Sequence, residues 1–87
     1  MDISLAKSLA SHGAIKGFNV YHDKDVDEWF FNVLTNTSHP DDDGVPFSTA
    51  RGDLKRFRSL DTLMRDVIAI IESDAGRLSI PVQVHVS

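Results

Sequence analysis

No cysteine occurs among the 87 residues, which excludes a disulfide framework, a thiol nucleophile and any zinc site with Cys ligands. The fold must be held by its core alone. No apolar run approaches the roughly 18–20 residues that span a bilayer. The opening Met1-Asp2-Ile3-Ser4 has neither the basic region nor the apolar stretch of a signal peptide, so the expected address is cytoplasmic. Glycine is sparse, and its five scattered positions never reproduce the spacing of a phosphate-cradling loop. No Gly-x-Ser-x-Gly element presents a serine nucleophile, and His12, His22, His39 and His85 make no two-His helical pair. Catalysis finds no support in these residues, and the expectation is a non-enzymatic protein with no cofactor and no metal.

What is present is ordinary for a folded protein. Hydrophobic residues at 41% and charged residues at 25% match globular averages, so residues 1–87 read as a single small domain. A domain of this size buries only about 60–70% of its unfolded surface, which makes self-association a reasonable way to bury more. The net charge of −4 is the wrong sign for a protein that coats nucleic acid without regard to sequence. The charges are unevenly spread: Asp23, Asp25, Asp27 and Glu28 form one acidic cluster and Asp41, Asp42 and Asp43 another, while Arg51, Lys55, Arg56 and Arg58 crowd together with only Asp53 among them.

Along the chain, Asp2 can cap a helix running to about Ser11, with Ile3, Ala6, Leu9 and Ala10 at helical spacing and Gly13 as its stop. The period then changes to two. Phe18 and Val20 share one face with Tyr21 opposite, and Trp29 to Thr35 is rich in aromatic and β-branched residues, so two strands joined across Asp23–Asp27 are expected. Asn36 to Gly44 holds almost nothing that favours burial and reads as the longest loop, the natural place for flexibility. Phe47–Ala50 and Leu54–Phe57 read as short strands three and four, with Gly52 turning the hairpin between them. From Ser59 to about Ser73, Leu60, Leu63, Met64, Val67, Ile68 and Ile71 predict an amphipathic helix capped by Ser59, with Asp61 in its first turn and Gly76 beyond its end. Last, Leu78, Ile80, Val82, Val84 and Val86 alternate with polar residues, which predicts a strand over 78–86 that Pro81 confines to a sheet edge. The order α-β-β-β-β-α-β implies an α+β fold: a mostly antiparallel sheet of four to five strands with two helices on one face.

Asp23, Asp25 and Asp27 fill the first, third and fifth places of a calcium-loop pattern, but Glu28 stands where glycine is needed and Leu34 where a bidentate glutamate is needed. A solvated turn is the better reading. Arg51, Lys55, Arg56 and Arg58 form the candidate nucleic-acid contact, a basic hairpin beside a helix N-terminus where cations and backbone N–H groups meet phosphates. The alternative is a solvated strand face that balances the aspartate clusters. Leu78, Ile80, Val82, Val84 and Val86 form the candidate dimer interface, because a terminal strand with a free edge pairs readily with a neighbour. Trp29, Phe30 and Phe31 are consecutive, so at least one of them faces away from the core, where it can stack a base or anchor a protein.

The segment from Phe47 to Thr62, Phe-Ser-Thr-Ala-Arg-Gly-Asp-Leu-Lys-Arg-Phe-Arg-Ser-Leu-Asp-Thr, resembles a pattern of small plasmid partition-associated (ParC-like) proteins. In these a strand ending in Thr-x-Arg-Gly-acidic leads to Arg-x-Phe, then basic-x-Leu-Asp and an amphipathic helix. The resemblance implies a non-enzymatic accessory protein of a plasmid or mobile element. The expected function is binding, to a second copy as a homodimer and to DNA or another plasmid-maintenance protein. The alternative is a protein-only adaptor or antitoxin-like module without nucleic-acid contact.

Overall fold

The structure is a computed structural model that describes residues 1–39, 41–74 and 80–85. Its elements are α1 (Ile3–Ser11), β1 (Ile15–Asp23), β2 (Glu28–Thr35), β3 (Val45–Pro46), α2 (Leu60–Glu72) and β4 (Val82–His85). The fold is α+β. Strands lie in the order β3-β2-β1-β4; β1 pairs antiparallel with β2, β2 antiparallel with β3, and β1 parallel with β4. The sheet is therefore mixed, with β4 at an edge.

Both helices begin on the expected caps. The Asp2 carboxylate accepts the Leu5 N–H at 2.9 Å and the Ser59 hydroxyl accepts the Thr62 N–H at 3.2 Å, each satisfying a donor that the first turn leaves unpaired. β1 and β2 form a hairpin in which Asp23 Oδ1 accepts the Asp25 N–H at 3.1 Å and Asp27 takes a left-handed φ of 51°. The register sets Phe18 opposite Val33 and Val20 opposite Phe31, so these side chains share one face. Onto that face pack Ala6 and Ala10 of α1 and Leu63, Val67 and Ile70 of α2, all fully buried.

Two details differ from the expected pattern. Phe47–Ala50 and Leu54–Phe57 do not form two strands; only the Ser48–Leu54 and Trp29–Phe57 bridges remain, and the short third strand lies earlier, at Val45–Pro46. The order is α-β-β-β-α-β. The cause is aromatic packing: the rings of Phe47 and Phe57 lie 4.4 Å and 6.1 Å from that of Phe31, so both residues turn inward at β2 and the chain between them closes a tight turn. Gly52, at φ +93°, makes that turn as expected. In α2 the buried stripe is Leu63, Val67 and Ile70, while Ile68 is 47% exposed, because it stands about 100° round the helix from Val67. Of the strand expected over 78–86, only Val82–His85 is strand; Ile80 and Pro81 precede it, and Leu78 and Val86 lie outside the described residues, as does the Gly76 stop.

This packing predicts a contrast within one helix. Ile70→Ala should lower the free energy of unfolding in urea by about 2–5 kcal/mol and Ile68→Ala by less than about 1 kcal/mol. Equal losses at the two positions would place the buried stripe elsewhere.

Candidate functional site

Helices cover one face of the sheet, and the alternation of β1, β2 and β4 sends Asn19, Tyr21, Phe30, Gln83 and His85 to the other. Register places three rings in line there. Phe30 stacks on Tyr21 at 5.4 Å between centroids, and Tyr21 stacks on His85 at 4.8 Å with planes 13° apart. The Arg56 guanidinium lies 5.6 Å from the Phe30 centroid and caps the row, an arrangement that the negative ring face favours. Asp23 and Glu28 hold that guanidinium at 3.3 Å and 4.0 Å. One row, Arg56–Phe30–Tyr21–His85, thus crosses three strands.

Beside the row lies a half-open cavity of about 330 Å³, lined by Asn19, Tyr21, Leu34, Asp43, Gln83 and His85 among others. Asn19 ties its walls together. Only 7% exposed, it donates from Nδ2 to the Asp43 carbonyl at 3.2 Å, and its Oδ1 lies 3.2 Å from His85 Nε2. Burial, and secondarily the negative charge of Asp43, push the Tyr21 phenol above its ordinary pKa of 10.0.

The four basic residues do not share a surface. Lys55 pairs with Asp66 of α2 at 2.9 Å and lies over the Phe57 ring at 5.2 Å, on the helix side. Arg56, next in an extended stretch, turns to the opposite side and its acidic partners. Arg51 and Arg58 are exposed, and among the described residues neither forms an ion pair. Of the five aliphatics assigned to self-association, Ile80 and Val82 pack partly against the chain's own core. Val84 is 46% exposed.

The calcium-loop aspartates are committed elsewhere: Asp23 binds Arg56, and Asp27 lies 2.9 Å from His22 Nε2. Among the described residues no three His, Asp or Glu side chains converge as metal ligands. No helix is long and apolar enough to cross a membrane among them. Tyr21, Asn19 and His85 were not visible as a group in the sequence, since their meeting depends on β4 pairing with β1 across most of the chain. Phe30 was foreshadowed by its place in an aromatic triplet. No family model matches the chain, and no curated protein and no solved structure matches it.

Tyr21 is the only tyrosine, so tyrosinate absorbance reports it alone. Its titration midpoint in the folded protein should lie above that of the urea-unfolded chain, and Asp43→Asn should lower it part of the way, leaving the larger contribution of burial. The raised value fixes the sign of the stability change: the contribution is present below about pH 10 and is lost as pH rises from there through the folded midpoint. A folded midpoint at or below the unfolded one would contradict the partial burial of the phenol beside Asp43.

Proposed function

We propose that the protein is a non-enzymatic accessory protein that works by binding a protein partner and a second copy of itself. The observation that carries this reading is the stacked row on the open sheet face, which runs out to β4 at the sheet edge. Planar rings already ordered by stacking lose little entropy when a partner covers them, and aromatic side chains dominate the energetics of protein interfaces. The commitment of Lys55 and Arg56 to Asp66, Asp23 and Glu28 on opposite sides of the molecule favours a protein partner over a phosphate backbone. The resemblance of Phe47–Thr62 to ParC-like proteins supports a role in plasmid maintenance and a cytoplasmic setting.

DNA binding is the second reading, and one observation favours it: Arg51 and Arg58 are exposed cations without an ion-pair partner among the described residues. The two readings separate by titration. Fluorescence anisotropy with labelled duplex DNA at low salt should show no saturable binding up to about 10 µM protein, a concentration inside the usual non-specific range of roughly 1–100 µM. A salt-steep association that disappears in the Arg51→Ala, Arg58→Ala double variant would establish DNA contact instead. Sedimentation equilibrium of the full chain should show a dimer, and a monomer at high micromolar concentration would remove self-association from the proposal.

A further inference from the structure

β4 lies at the sheet edge with β1 on one side only. The Phe18 N–H donates to the Pro81 carbonyl at 3.0 Å, and the parallel register sets Phe18 opposite Val82 and Tyr21 opposite His85. In an extended strand the N–H and C=O of one residue point to the same side and those of the next residue to the other. Pro81, Gln83 and His85 therefore turn toward β1, and Val82 and Val84 present their backbone groups outward. The donor that Pro81 lacks would face β1, so the proline leaves the outer edge unguarded. Among the described residues no hydrogen bond takes up the outward groups.

The side chains of this segment are as permissive as its backbone. From Leu78 to Ser87 there is no Asp, Glu, Lys or Arg, the residues that keep exposed edges apart. A two-fold axis sets the residue on it against its own copy, where an ionised group would meet a like charge; a strand without charged side chains avoids that repulsion wherever the axis falls. Val84 stands level with fully buried Val20 in the register and yet is 46% exposed, open on the side where a further strand would lie.

Resting on the self-association proposed above, we infer that β4 pairs antiparallel with β4 of a second copy about a two-fold axis at Gln83, joining the two four-stranded sheets into one. Val82 then faces Val84 of the second copy, and both such pairs exchange both of their backbone hydrogen bonds. Gln83 faces Gln83 of the second copy, and an amide, carrying donor and acceptor together, complements itself. Slipping the register by one residue sets outward-turned groups against inward-turned ones. Slipping it by two places Gln83 against Pro81 or His85 and loses the amide pair.

The absence of cysteine makes the register directly readable. Opposed residues in a non-hydrogen-bonded antiparallel pair have Cα atoms about 4.5 Å apart, within the roughly 4.4–6.8 Å that a disulfide spans. Under mild oxidation, Gln83→Cys should convert mostly to a disulfide-linked dimer, while Lys7→Cys, on the exposed side of α1, should not. Val84→Lys, which sets a charge against Val82 of the second copy, should raise the dimer dissociation constant at least about tenfold in sedimentation equilibrium with the thermal transition retained. A Gln83→Cys chain with wild-type circular dichroism that stays unlinked overturns the pairing. If the wild type is nevertheless dimeric, the interface lies elsewhere and the binding function stands; if it is monomeric, self-association falls as well. Linkage at Val84→Cys without linkage at Gln83→Cys overturns the register.

Discussion

Phe31 anchors the fold. Its ring is fully buried and meets Phe18 of β1 at 6.0 Å, Phe47 at 4.4 Å and Phe57 at 6.1 Å, so it gathers a strand partner and both ends of the turn that follows β3. The backbone follows the rings: Phe31 accepts the Phe47 N–H at 2.9 Å, and Phe57 exchanges hydrogen bonds with Trp29 at 2.7 Å and 2.8 Å. A domain without disulfides has few means of fixing an irregular segment, and burying two large aromatic side chains is the most effective of them. Lys55 completes the arrangement by covering the Phe47 and Phe57 rings while reaching Asp66 of α2.

The same strand that supplies Phe31 to the core supplies Phe30 to the opposite face, because successive strand residues point to opposite sides. Core and candidate site are thus two sides of one register. Tyr21 opposes Phe30 because Val20 opposes Phe31, and His85 joins the row because Val84 lies level with Val20. Arg56 reaches the row from the segment that Phe57 pins to β2, so the cation that caps the stack is positioned by a neighbour buried on the other side.

What was legible in the sequence were features written over short stretches. The caps at Asp2 and Ser59 and the β1–β2 hairpin follow from local residue chemistry; β4 does lie at an edge, but Pro81, which precedes it and turns toward β1, is not the cause. The hairpin of strands three and four was misread because Phe47 and Phe57 look like strand residues in isolation, and only the presence of Phe31 between them turns the chain inward. Ile68 and Ile70 were exchanged for a related reason: spacing alone marks a broad apolar stripe, and its centre is set by where the helix meets the sheet. The split of Lys55 from Arg56 needed the positions of Asp66 and Asp23, far apart in the chain and on opposite sides of the fold. The cavity required the packing of β4 against β1, to which Gly17 contributes by having no side chain: a Cβ there would lie 3.2 Å from the Pro81 carbonyl.

The parallel docking of β4 also orders the molecule in time. β1 and β2 close across a four-residue turn, whereas Phe18 must wait for Val82, about sixty residues later, and for α2 to form between them. Pairings between distant residues carry a larger loop-closure entropy and form late. The Tyr21–His85 stack and the Asn19–His85 contact are therefore the last parts of the open face to assemble. Protection of the Gln83 and His85 amides against hydrogen exchange then measures the opening of this face itself, separately from global unfolding.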